Sequence, residues 1–148
     1  MAATADRVSS IIWLDAFKPE NGQRGFDFAS EFSRKAFLAA VEKGEPGRPS
    51  PTAEAFRVIS EKDRAWVDSK TTPQPNGVAM QPIKLTGARE KVAKKTYIRA
   101  AAYPQPAFDK AYTDCKADKS WRTHEATCGH DVMVDEPQWL ADILVSAS

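Results

Sequence analysis

Val8-Ser-Ser-Ile-Ile-Trp-Leu14 is short, apolar and partly β-branched. That pattern predicts a strand buried on both faces, as in a parallel sheet. Turn chemistry follows over Asp15-Ala-Phe-Lys-Pro-Glu-Asn-Gly22. Phe28, Phe32, Ala36 and Ala39-Ala40 recur at helical spacing and predict a helix from about Phe26 to Lys43, with Phe28, Phe32 and Phe37 turned inward. Gly44 to Pro51 holds three prolines and two glycines and reads as a loop, among the least ordered parts of its region. Phe56, Val58 and Ile59 form an apolar patch of no definite type. Ser60, with Asp63 three residues on, can cap a helix running to about Lys70, with Trp66 and Val67 on its buried side.

Pro73-Gln-Pro-Asn-Gly77 breaks the pattern again. Lys95 to Ala102 is a second strand, ended by Pro104-Gln105-Pro106. Ala107 to Asp118 is a helix, and Trp121 to Ala126 a third strand. Pro137 suits the first turn of a closing helix, where its missing N–H has no partner to lose, and Leu140, Ile143 and Leu144 give that helix an apolar stripe. Strand, helical insert, strand, helix, strand, helix is the alternation of an α/β fold. Three parallel strands are only part of such a sheet, and faces left bare call for a partner.

Composition narrows the function. The 148 residues amount to one domain or a large part of one. Lys plus Arg is 21 against 20 for Asp plus Glu, with no long basic run, so nothing points to nucleic acid. The apolar runs are too short to span a bilayer, and Met1-Ala-Ala-Thr-Ala-Asp-Arg7 lacks the apolar core of a signal peptide; a cytoplasmic location is the expectation. Cys115 and Cys128 make no disulfide framework and are read as free thiols. The Cys-x8-His-x3-Cys-x-His series through Cys115, His124, Cys128 and His130 matches no common zinc spacing, and no metal or cofactor is expected. Cys128 stands at the wrong place in the chain for a nucleophile, and His124 alternates within its strand as a packed or exposed side chain. The four tryptophans, Trp13, Trp66, Trp121 and Trp139, read as packing rather than as a ligand platform.

One stretch carries sharper chemistry. Thr127-Cys-Gly-His-Asp-Val-Met-Val-Asp-Glu-Pro137 resembles the histidine loop of the α/β-hydrolase family. Its Gly-His-Asp-x-Met form, followed by an acid, a proline and a helix, is similar to the branch holding plant methyl esterases, hydroxynitrile lyases and related bacterial esterases. Ser10 to Gly22 resembles the family's sixth strand and the entry to its cap. Asp63 to Val67, Thr72 to Pro75 and Gln81 to Gly87 resemble the cap of the bacterial members. Lys95 to Arg99 resembles the seventh strand. The resemblance implies a partial α/β-hydrolase fold: parallel strands with helices, residues 1–19 and 87–148 forming the C-terminal part of the core, and 20–86 a mainly helical cap insertion.

It also implies roles. His130 would take the proton of a nucleophilic serine and return one to the leaving group. The acid that orients it has two candidates. Many relatives carry Asp just after the seventh strand, but Ala100-Ala-Ala-Tyr-Pro104 has no carboxylate there. Asp15, ending the sixth strand, is the first choice and Asp109 the runner-up. No Gly-x-Ser-x-Gly elbow occurs in the sequence. In the family the elbow and the oxyanion-hole donors lie upstream of this region, and residues 2–7 resemble the tail of the helix after the elbow. The chain therefore reads as the histidine-bearing portion of a carboxylic ester hydrolase, inactive alone, with a small ester as substrate. An N-terminal hydrolase half, or another copy of the chain, would cover the open sheet. Hydroxynitrile lyase chemistry typically uses a lysine near the site, and the expected loop offers none. The other reading is a non-catalytic interaction module or a truncated pseudo-enzyme.

Overall fold

A computed structural model describes residues 7–147. Three strands, β1 (Ser10–Leu14), β4 (Lys94–Ala100) and β5 (Trp121–Ala126), form a parallel sheet in the order β1-β4-β5. All three strands expected from the sequence are present and adjacent. The expected helix tail over residues 2–7 lies almost wholly outside the described residues.

Strand pleating sends alternate side chains to opposite faces. Ile98, Ala100 and Ala126 pack with Leu140 and Ile143 of helix α6 (Pro137–Ala147), joined by the partly buried Ile12 and Leu14. On the other face Tyr97 packs with Ala111 and Cys115 of helix α4 (Pro106–Ala117), with Trp13 and Trp121 alongside. The sheet is therefore helix-covered on both faces along β4, where Tyr97, Ile98 and Ala100 are fully buried. β1 differs: each of its residues is only half-buried, because it forms an edge of this sheet and carries fewer neighbours. The expectation that Val8–Leu14 is buried on both faces is not met for that reason.

Residues between β1 and β4 hold helices α1 (Glu31–Glu42), α2 (Glu61–Lys70) and α3 (Asn76–Met80), plus a two-residue antiparallel pair, β2 (Gly47–Arg48) with β3 (Gln74–Pro75). The insert supplies no strand to the main sheet. Ser30 caps α1 by accepting from the Ser33 N–H, and Ser60 caps α2 by accepting from the Asp63 N–H. The first cap starts α1 at Glu31, so the predicted helix from Phe26 is split: Gly25–Phe28 is a separate 3-10 turn. That offset rotates the aromatic positions. Phe37 is buried beside Phe26, whereas Phe32 is 83% exposed. On α2 Val67 is buried with Ala53 and Val58, but Trp66, one residue and about 100° away, faces outward at 56% exposure. The Gly44–Pro51 loop is partly regular: Gly47 pairs with Pro75 at a spacing where a Cβ would sit 2.9 Å from the Gln74 carbonyl oxygen. Among the described residues no helix is long and apolar enough to cross a membrane.

Candidate active site

β1 and β4 end side by side, and the chain leaves β1 sharply. Asp15 has φ 41°, the left-handed region that Asp tolerates better than most residues. Its N–H still donates to the Ile98 carbonyl at 2.7 Å, continuing the parallel ladder, while its carboxylate turns across the end of β4. There, fully buried, Oδ1 accepts from the Ala100 N–H at 3.0 Å and from Arg99 Nη1 at 2.6 Å.

The other carboxylate oxygen, Oδ2, lies 2.7 Å from Nδ1 of His130. His130 follows β5 on the loop the sequence singled out, anchored beyond by α5 (Val132–Asp135) and α6. A carboxylate anion only accepts hydrogen bonds, so the contact suits the tautomer with the proton on Nδ1 and the lone pair on Nε2. Asp15 and His130, 115 residues apart, thus meet at the C-terminal rim of the sheet, where open α/β sheets place their ligands. Asp109 does not meet His130. It sits on the first turn of α4, 62% exposed at its side chain, and bonds Arg99 Nε at 2.8 Å.

The imidazole is boxed by rings. Centroids of Tyr103, Phe56 and Phe108 lie 4.8, 5.1 and 5.8 Å from it. It opens into a cleft of about 500 Å³, lined also by Phe17, Arg48 and Gln74. These walls raise the tyrosine: burial, and then the negative charge of Asp15, push the Tyr103 phenol above its usual value. Asp131, next to His130, is pushed upward by burial. The rings of Phe17, Phe56, Tyr103 and Phe108 are the part of the site that sequence reading missed. They come from four separated segments, and no local pattern marks their convergence.

The other candidates stand elsewhere. His124 lies half-buried within β5. Cys115 is buried on α4 against Tyr97 of the sheet, and Cys128 on the opposite face, both as free thiols. Among the described residues no three His, Cys, Asp or Glu side chains converge as a metal set.

No protein-family profile matches the chain. Its fold does have a solved counterpart. An extracellular α/β-hydrolase from a Paenibacillus species, described as sharing structural and functional homology with Tobacco Salicylic Acid Binding Protein 2, superposes with a TM-score of 0.78 at 22% identity, over 99% of this chain and 64% of that one. The chain has a partial α/β-hydrolase fold. In sequence it is 32% identical over 155 residues to a carbendazim hydrolyzing esterase of Nocardioides sp. (strain SG-4G), matching 96% of this chain and 62% of that protein's length. The chain resembles the C-terminal part of an α/β-hydrolase of the esterase type.

Proposed function

We propose that this chain is the histidine-and-acid portion of a carboxylic ester hydrolase. The observation that carries the reading is the 2.7 Å contact between His130 Nδ1 and the buried Asp15 carboxylate at the rim of the cleft. In that arrangement Asp15 holds the imidazole in one tautomer. Nε2 of His130 takes the proton from a serine hydroxyl as it attacks the ester carbonyl, and gives it to the departing alcohol. The serine and the N–H donors for the tetrahedral oxyanion are not in this sequence, which has no Gly-x-Ser-x-Gly. In this reading an N-terminal hydrolase half supplies them, docking along the half-buried edge strand β1. The chain spans 62% of the length of its curated relative, which supports such a second portion. Residues 20–86 act as the cap that selects a small ester. A cytoplasmic location belongs to the same reading, and cell fractionation checks it.

The alternative reading is a non-catalytic interaction module in which the Asp15–His130 pair is a remnant. A release assay with nitrophenyl acetate separates the two. The chain alone should show no turnover above background, and adding an N-terminal half with an elbow serine should restore it. His130→Ala should abolish the restored activity and His124→Ala should leave it. Hydrolysis by the isolated chain that survives His130→Ala would sink the proposal.

A further inference from the structure

The Asp15 carboxylate is fully buried, and a buried anion needs a partner with matched geometry. Arg99 provides it. The guanidinium is 3% exposed and sits at the end of β4, on the sheet face covered by α4. Its nitrogens reach four acceptors at once. Nη1 donates to Asp15 Oδ1 at 2.6 Å and to the Ala100 carbonyl at 2.5 Å; Nη2 donates to the Tyr103 carbonyl at 2.5 Å; Nε donates to Asp109 Oδ1 at 2.8 Å. Burial works against the cation, but the bonds to Asp109 and Asp15 outweigh it, so the group is raised above its usual value and stays charged.

We infer that Arg99 is the positioning residue of the Asp15–His130 pair: its fork fixes Oδ1, which leaves Oδ2 facing Nδ1 of the imidazole. The inference rests on the reading of Asp15 and His130 as a proton-handling pair. Its geometric basis is the split of the carboxylate, with two donors on Oδ1 and the histidine on Oδ2. A carboxylate held by a single backbone N–H can rotate about χ2; one whose Oδ1 also accepts from a guanidinium N–H, itself fixed by bonds to Asp109 and two carbonyls, is held against that rotation. The fork is itself held from the surface by Asp109, the other acid candidate, which thereby serves the pair at one remove. Lysine is a poor substitute, because one ammonium cannot span Asp15, Asp109 and two carbonyls.

The test reads the His130 tautomer in the intact chain by 15N–1H correlation of the imidazole nitrogens, at a pH where the ring is neutral. The wild-type chain should show Nδ1–H alone. Folded Arg99→Met should show a mixture with Nε2–H, and Arg99→Lys a smaller admixture. Tyr97→Phe is the control for packing: it removes the bond from Tyr97 Oη to the Ala16 carbonyl, beside Asp15, without touching the carboxylate, and should keep the single tautomer. A single Nδ1–H tautomer in either folded Arg99 variant overturns the inference and leaves the esterase reading intact. Equal scrambling by Tyr97→Phe overturns it as well, since the effect would then be general packing. If neither Arg99 variant folds, Arg99 is a folding residue and the inference is overturned. Nε2–H in the wild-type chain overturns the Asp15–His130 pairing itself, and the functional reading with it.

Discussion

The peptide N–H of His130 donates to the carbonyl oxygen of Phe56 at 2.8 Å, so the histidine loop is fastened to the insert as well as to the sheet. The fastening needs Gly129. A Cβ there would lie 2.4 Å from both the Phe56 and the Arg57 carbonyl oxygens. Arg57 itself takes φ 65° to turn those carbonyls toward the loop. Nearby, the Ile59 N–H donates to Asp135 Oδ1 at 3.0 Å, closing a second tie between the two segments. Two hydrogen bonds therefore tie the segment that flanks the cleft to the loop that carries the imidazole.

Gly129→Ala is expected to cost about 1–3 kcal/mol, the usual range for forcing a methyl group into packed surroundings. It should also speed hydrogen exchange at the His130 amide. Gly77→Ala is the contrast, since nothing lies within 4 Å of a Cβ at that position in α3 and alanine suits a helix better. Urea denaturation of both variants measures the difference, and equal midpoints would remove the fastening from the account.

On α2 the prediction separates two neighbouring apolar residues. Val67→Ala deletes two methyl groups packed against Ala53 and Val58 and should cost about 2 kcal/mol. Trp66→Ser, at an exposed position, should stay within about 0.5 kcal/mol of the parent. Thermal unfolding of the two variants checks this. A larger loss at Trp66 would mean that something covers it in solution.

Those two residues also mark how far sequence reading reaches. The strands β1, β4 and β5 were legible because short apolar runs bounded by turn residues have few other solutions. Helix α2 was legible from its Ser60 cap. Which side of α2 faces inward was not, because Trp66 and Val67 are both apolar and only the neighbours in space decide between them. Asp15 and His130 were each marked by local motifs, and their contact by family resemblance. Arg99 lies in the second predicted strand with no role legible there, since a single arginine in an apolar strand says nothing about which carboxylate it meets. The aromatic box was hidden for the same reason: Phe56, Tyr103 and Phe108 are ordinary core residues until the fold brings them round one imidazole.

Cys128 predicts a response to alkali. Burial, with the negative charge of Asp135 next in weight, pushes its thiol from the usual 9.0 up to about 11. Below pH 9 the thiol is neutral in both the folded and unfolded chain, and stability does not depend on it. Between about 9 and about 11 the unfolded chain releases the proton and the folded chain keeps it. The unfolded state is favoured as pH rises through that window, and stability falls. Cys115, also raised by burial, adds to the same slope. Cys128→Ala should flatten part of the decline in urea midpoints across that window. At pH 8 the native chain should react slowly with an aromatic disulfide reagent, with full reaction only on unfolding. Fast labelling of Cys128 at that pH would contradict its burial.

The strongest functional prediction contrasts the two acids. Asp15→Asn swaps an acceptor-only group for an amide, which can donate to Nδ1 and so favours the proton on Nε2. The lone pair then no longer faces the serine. In serine triads that substitution costs roughly ten-thousandfold in turnover, and a loss on that order is expected for hydrolysis by the complemented protein. The variant also leaves Arg99 facing a neutral partner, so a drop of a few kcal/mol in stability should accompany it. Asp109→Asn behaves differently. Its side chain is largely exposed and touches the pair only through Arg99, which keeps its bonds to Asp15 and to the Ala100 and Tyr103 carbonyls. Turnover should fall by no more than about tenfold, with substrate affinity unchanged. The measurement is a pair of complementation assays run beside unfolding curves, so that lost activity is read only from folded protein. A loss at Asp109→Asn equal to that at Asp15→Asn would make the exposed acid, not the buried one, the partner that matters to the histidine.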